Sequence, residues 1–236
     1  KDRWKLDTVI LDPGHGGKDG GTMSRYGTKE KDIVLDITKR IGRLLETNTN
    51  IKVHYTREED VFIPLKDRTK FANDNNGKIF LSIHANAHNN RTIHGFETYL
   101  LSPGKSEDAV ALAARENSVI QFEEKNDNYV NLSGEGLIMA TMAQSMFMKE
   151  SEDLAAIIQM EMGKRLTTKN RGVKQAGFYV LIGASMPCVL IEVGFLSNPK
   201  EEKSLKKATH RQKIAQSIYE AIIRFKKSRE KLLAEE

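Results

Sequence analysis

The sequence predicts a single α/β domain, and three observations predict it. Six short runs rich in β-branched and apolar residues punctuate the chain, and several longer stretches between them carry apolar residues at helical spacing. One of the runs, residues 188–193, is almost continuously apolar, as in a buried central strand. No internal repeat or low-complexity linker divides residues 1–236, and a chain of 236 residues with 39% hydrophobic content can bury a full core.

Composition narrows the function classes. No apolar run approaches the ~20 residues that cross a bilayer, so no membrane span is expected. The net charge of +5 suits an anionic partner such as nucleic acid or a wall polymer. The charges are spread along the chain, however, without the aromatic-interleaved basic stripe of a nucleic-acid binder. Cys188 has no second cysteine to pair with and reads as a small buried hydrophobe rather than a nucleophile. The sequence opens Lys-Asp-Arg-Trp, with neither Met nor a signal-peptide pattern, so its compartment is not legible there.

In chain order, Val9, Ile10 and Leu11 form a first strand that Asp12-Pro13-Gly14 breaks. His15 falls just past its end, among Gly14, Gly16 and Gly17, whose backbone freedom lets a ligand approach closely. Metal ligands are often presented this way, although a polar turn residue is the commoner meaning of a lone histidine. Residues 18–27 form a loop, and Thr28 is placed to cap a helix carrying Ile33, Val34, Ile37, Ile41, Leu44 and Leu45. Glu30 lies in its first turn, where the helix dipole favours the ionised carboxylate. Both a cation ligand and a simple complement to the dipole remain open for it.

Residues 52–57 alternate as a second strand, with His54 structural. A short helix over residues 65–75 contains Arg68. Residues 78–86, KIFLSIHAN, make a third strand with Ile79, Leu81 and Ile83 on one face and Phe80, Ser82 and His84 on the other. Ligands gather beyond the carboxyl ends of the strands of an open α/β sheet. His15 and His84 therefore converge if their strands are parallel neighbours. Residues 95–101 are a fourth strand, and Ser106 caps a helix through Ala109, Val110, Leu112 and Ala113.

Residues 117–133 are polar and weakly patterned. Residues 134–166 are helix-prone and hold six of the eight methionines, with a break expected at 150–152; such methionines are either adaptable core or a docking surface. Residues 177–182 and 188–193 are expected as the last two strands. Ile214, Ile218, Ala221, Ile222 and Phe225 mark a final helix. Glu192 interrupts the apolar run of the sixth strand, where a carboxylate is costly to bury without a charge or a metal nearby. His15, Glu30, His84 and Glu192 thus stand apart. Two imidazoles and a carboxylate can hold zinc with a fourth position open, and a second carboxylate can take a water's proton. The long spacing matches no short metal-binding signature, so the residues alone leave this undecided.

The blocks ILDPGHGG (10–17), SIHANA (82–87), KQAGFYVL (174–181) and PCVLIEVGFLSN (187–198), with Glu30 ahead of its apolar helix, carry a resemblance. In combination, and in order over nearly the whole chain, they resemble the zinc-dependent N-acetylmuramoyl-L-alanine amidases of the Amidase_3 type. The resemblance implies a mixed, mostly parallel six-stranded sheet flanked by helices on both faces. It implies hydrolysis of the amide between N-acetylmuramic acid and L-alanine in peptidoglycan, in cell-wall remodelling or daughter-cell separation. His15, Glu30 and His84 match the ligands of one zinc ion, and Glu192 the catalytic glutamate. Arg68 and Asn86 lie in matching blocks and either orient substrate or hold the sheet edge and a helix together.

In similar amidases that separate daughter cells of Gram-negative bacteria, an inserted segment occludes the zinc with a carboxylate until an activator protein releases it. Here that segment is expected at residues 117–148, with Glu135 the first candidate and Glu123 and Glu124 its rivals; an ordinary surface excursion is the alternative. The partners so implied are peptidoglycan and an activator, with no nucleic acid, for a monomer in the periplasm or cell envelope. A zinc peptidase acting on another amide and a catalytically silent peptidoglycan-binding or regulatory module remain the competing functions.

Overall fold

Alternation along the strands builds a six-stranded sheet with a core on each face. The computed structural model describes residues 5–123 and 135–235. In chain order the elements are β1 (Thr8–Pro13), α1 (Glu30–Asn48), β2 (Lys52–Tyr55), α2 (Leu65–Asp74), β3 (Ile79–Asn86), β4 (Phe96–Leu101) and α3 (Glu107–Asn117). There follow α4 (Glu135–Ala143), α5 (Met148–Arg165), β5 (Asn170–Ala176), β6 (Cys188–Phe195), α6 (Pro199–Leu205) and α7 (Ala208–Glu235). The strand order is β2-β1-β3-β6-β4-β5, and only the β4–β6 pairing is antiparallel. The sheet is mixed and mostly parallel, as the resemblance implies.

The period-two pattern of β3 divides the two cores. Ile79, Leu81 and Ile83 join the cluster formed with α1, α5 and α7, while Phe80 joins the opposite cluster with α2 and α3. Each fully buried aliphatic side chain contributes roughly 1.5–3 kcal/mol. The stripe Val34, Ile37, Ile41 and Leu45 therefore binds α1 firmly to the sheet. Because β1, β3 and β6 are parallel, their carboxyl ends lie together. The reversed β4 brings its first residues, Phe96 and Glu97, back to that same end.

Three expectations change. The fifth strand is Asn170–Ala176, and Tyr179–Leu181 is a 3-10 turn. Residues 177–182 are apolar because Phe178, Val180 and Leu181 fill the second core without pairing, whereas the true strand is an edge strand with half-exposed side chains and reads as polar. Thr28 does not cap α1; the helix starts at Glu30 behind Lys29, and the Thr28 hydroxyl donates to Glu202 Oε1 at 2.6 Å. The break in the methionine-rich segment falls at 144–147, where buried Gln144 donates to the Leu181 carbonyl at 2.6 Å. Ser106 does cap α3, accepting from Ala109 N at 3.3 Å. Of the methionines, Met162 is core, while Met139, Met142 and Met146 are exposed. Cys188 is buried, and burial pushes its thiol up to about 12.

Candidate metal centre

The end of β1 is shaped by two buried arginines. Arg68 Nη1 donates to Asp12 Oδ1 at 2.8 Å and to the Pro13 carbonyl, its Nη2 to the His15 carbonyl and its Nε to the Ile63 carbonyl. Arg57 donates to the carbonyls of Pro13 and Gly14. Arg68 is thus the brace of the histidine loop, its guanidinium 1% exposed and committed, rather than a group turned to substrate. The loop holds His15 at φ 60°, a left-handed conformation unusual for a non-glycine residue. Asp19 Oδ2 accepts from His15 Nδ1 at 2.7 Å, which leaves the Nε2 lone pair facing inward.

Glu30 arrives from the first turn of α1. Its Oε2 accepts from Thr22 N at 2.8 Å and its Oε1 from Ala85 N at 2.9 Å. His84, near the end of β3, packs its ring against Gly14, where a Cβ would stand 2.4 Å from Cε1. Only glycine admits the ring there. The fourth group is Glu116, from the last turn of α3. His15 Nε2 lies 3.1 Å from Glu30 Oε1 and 3.2 Å from Glu116 Oε2, and His84 Nδ1 lies 3.2 and 3.3 Å from the same two oxygens. A tetrahedron with arms of about 2.0–2.1 Å, the usual zinc–nitrogen and zinc–oxygen lengths, has edges of about 3.3–3.4 Å.

These four donors lie within 4.8 Å of one another, and each residue is buried. His15 Nε2 and Glu116 Oε2 have no hydrogen-bond partner among the described residues, as expected of atoms that face a metal ion. Burial works against the charged form of both imidazoles. The carboxylates of Glu30 and Glu116 outweigh it, holding His15 well above its ordinary value and His84 at about 9. Burial likewise opposes the ionised Glu30, but the His15 charge brings it down to about 2, and the two histidines hold Glu116 well below the carboxylate range. The cage is built for positive charge. Two nitrogens and two oxygens at this spacing could hold a metal ion, and they fit the donor set that zinc takes.

Glu192 stands one strand away, paired in register with His84 on β3 and with Glu97 on β4. It is wholly buried, and neither oxygen has a hydrogen-bond partner among the described residues. Burial raises its carboxyl well above the usual range, against the lowering charge of His84.

The family that matches residues 9–224 is N-acetylmuramoyl-L-alanine amidase. The chain belongs to that family. It is 37% identical over 217 residues to the N-acetylmuramoyl-L-alanine amidase AmiC of Escherichia coli O6:H1, covering 91% of this chain and 51% of the relative. The chain therefore spans about half the length of that amidase. An N-acetylmuramoyl-L-alanine amidase of Clostridium difficile 630 superposes with a TM-score of 0.71 at 29% identity, covering 94% of this chain and 97% of the other. The CwlD amidase of Clostridioides difficile, solved in complex with the GerS lipoprotein, superposes at 0.68 with 30% identity, covering 93% and 98%.

Within this amidase fold the structure gathers His15, Glu30 and His84 and sets Glu192 beside them. Sequence reading missed Glu116. Its signal was present: Ala109, Leu112, Ala113 and Glu116 form one buried stripe at helical spacing, so the acid continues an apolar face. Glu123 is turned elsewhere, its Oε1 accepting from Leu65 N at 3.0 Å. Glu124 and the side chain of Glu135 lie outside the described residues. Asn86 is buried, accepting from Arg115 Nη2 at 3.1 Å and donating to Glu97 Oε2 at 3.3 Å. No helix among the described residues is long and apolar enough to cross a membrane.

Proposed function

We propose that the chain hydrolyses the amide joining N-acetylmuramic acid to L-alanine in peptidoglycan, with His15, Glu30 and His84 holding one zinc ion and Glu192 as the catalytic base. The observation that carries this is the convergence of three donors from three elements at one end of the sheet. An unpartnered, buried carboxylate stands one strand over. Zinc bound there supplies Lewis-acid polarisation of the scissile carbonyl and lowers the pKa of water. Glu192 accepts the proton of the attacking water and delivers it to the leaving amine. Its raised proton affinity suits a group that must both take and return a proton. The β3–β6 pairing fixes its carboxylate beside His84.

Glu116 fills the corner that a substrate carbonyl or water must reach, so the conformation described is closed. Arg115 clamps α3 over the site, donating to the Ala87 carbonyl at 2.7 Å as well as to Asn86. Opening requires α3 to be drawn away. On the segment beyond it, Ile138, Met139, Met142 and Met146 offer an exposed apolar surface to an activator. The complex of the related CwlD with a lipoprotein supports control by a partner. The workplace follows from the substrate: the periplasm or cell envelope.

The test compares metal content and release of stem peptides from purified peptidoglycan. About one zinc per chain is expected in the unaltered chain and in Glu116→Ala, since three ligands suffice for a catalytic site. Release should rise at least tenfold, in order of magnitude, in Glu116→Ala and fall about 10²–10⁴-fold when Glu192→Gln is added. A zinc-loaded Glu116→Ala chain that releases no stem peptide would overturn the proposal.

A further inference from the structure

Past Glu192, on the side away from the four-donor cage, the sheet end opens into a cavity of about 550 Å³, lined among others by Asn86, Glu97, Tyr99, Arg171, Lys174 and Phe195. We propose that this cavity takes the stem peptide and that Arg171 and Lys174 bind the free carboxylate of the residue that follows L-alanine. The inference rests on the peptidoglycan reading above and adds a specificity site to it.

Topology puts the cavity within reach of the scissile bond. Glu97 on β4 pairs in register with Glu192 on β6, and β5, carrying Arg171 and Lys174, is the next strand out. The charged heads of Arg171 and Lys174 reach back to Glu97 on β4, one strand spacing of about 4.8 Å from β6. An extended peptide advances about 3.3–3.6 Å per residue, so a carboxylate between one and two residue lengths beyond the amide falls beside them. The reversed β4 matters here, because it brings the amino ends of β4 and β5 to the same end of the sheet as His84.

The charges at the floor do not balance. Arg171 Nε and Lys174 Nζ both donate to Glu97 Oε1, at 2.5 and 2.6 Å. Glu97 Oε2 accepts from Tyr99 Oη at 2.6 Å and from Asn86. One saturated carboxylate therefore serves two cations. Arg171 spends only its Nε–H, and its two terminal nitrogens have no hydrogen-bond partner among the described residues. Those two nitrogens form the planar fork that meets a carboxylate in two parallel hydrogen bonds.

Both cations are also held in place. The Arg171 guanidinium lies 5.5 Å over the Phe195 ring and the Lys174 ammonium 5.9 Å over Tyr99, with side chains only 16% and 25% exposed. Ordered and partly withdrawn from water, they bind an anion more strongly than surface cations do. Glu107 and Asp108, in the first turn of α3, line the same cavity and repel an anion from their side, which favours the floor.

The experiment uses the full chain carrying Glu116→Ala and Glu192→Gln, open and inert, with two ligands. One is N-acetylmuramoyl-L-alanyl-γ-D-glutamyl-lysine amide; the other has its glutamyl α-carboxylate converted to a carboxamide. Calorimetric titration should show the carboxylate ligand binding at least about tenfold more tightly, the scale of a hydrogen-bonded ion pair. Lys174→Gln, at a part-exposed position, and Arg171→Lys, which keeps the charge and removes the fork, should each reduce that preference. Together, Arg171→Gln and Lys174→Gln should bring it within about twofold. Equal binding of the two ligands, binding of neither, or a preference unchanged in both single variants overturns the inference. Cleavage of the same compounds by Glu116→Ala alone reads the activity separately. Carboxylate-dependent binding without cleavage would sink the amidase reading and keep the subsite, and cleavage with equal binding would do the reverse.

Discussion

Asp12 is a single buried charge on which the histidine loop depends. Burial alone would raise its carboxyl, but Arg68 and the hydroxyls of Thr56 and Ser82 outweigh that and hold it below the usual carboxylate value. A depressed folded pKa contributes stability that is fully present above the unfolded value near 4 and is lost as pH falls through the folded one. Asp12→Asn leaves Arg68 buried without its counter-charge and should cost about 3–5 kcal/mol at pH 7. In urea denaturation the gap to the unaltered chain should narrow at pH 3, below the unfolded value near 4, because there the unfolded chain takes up the proton that the folded carboxyl resists; an equal gap at both values would count against this account. Gly14 makes a second, sharper case. Gly14→Ala places a methyl within 2.4 Å of the His84 ring. Metal affinity should fall on the order of 10–100-fold, as for other disturbed ligand supports, with a zinc-competition titration as the measurement.

At the scale of elements, α3 is held by unlike forces along its length. Its cap at Ser106 and its stripe of Ala109, Leu112 and Ala113 bind it to the sheet, while its last turn is held by Arg115 and by Glu116 inside the cage. Arg115→Gln should weaken the clamp without emptying the cage and raise stem-peptide release by several-fold, short of the rise in Glu116→Ala. A release rate equal to that of the unaltered chain would show that the clamp contributes nothing. This helix also marks where the sequence stops being legible. His15, Glu30, His84 and Glu192 could be singled out because each breaks its local context: a histidine among glycines, an acid opening a helix, a histidine closing a strand, an acid inside an apolar run. Glu116 breaks nothing visible from a helical pattern read only for its apolar positions, and its partners lie on three other elements. The fifth strand escaped for the converse reason: an edge strand beside a reversed one has no need of apolar residues, whereas the adjoining turn does.

At the scale of the molecule, strand order does most of the positioning. Three parallel strands deliver their carboxyl ends to one place, and one antiparallel strand adds a second wall of polar groups there. The alternation of β3 and the apolar run of β6 were legible as strands, but that β4 is the reversed one depends on pairing between distant residues and no local pattern records it. The net charge of +5 acts at this scale too. Binding of the chain to an anionic wall polymer should weaken as salt shortens the Debye length from about 10 Å at 0.1 M toward 3 Å at 1 M. Cosedimentation with purified peptidoglycan across that range checks it, and salt-independent binding would assign adhesion to the site alone. The Glu116 carboxylate has a last consequence. An inhibitor tethered to its own target is present at a fixed effective concentration, commonly millimolar for a short connection. Dilution does not relieve it, and making more enzyme does not overwhelm it. Under the closed reading proposed above, the silent fraction would be the same for one molecule as for thousands, and output would track the supply of whatever pulls α3 away rather than the abundance of the chain.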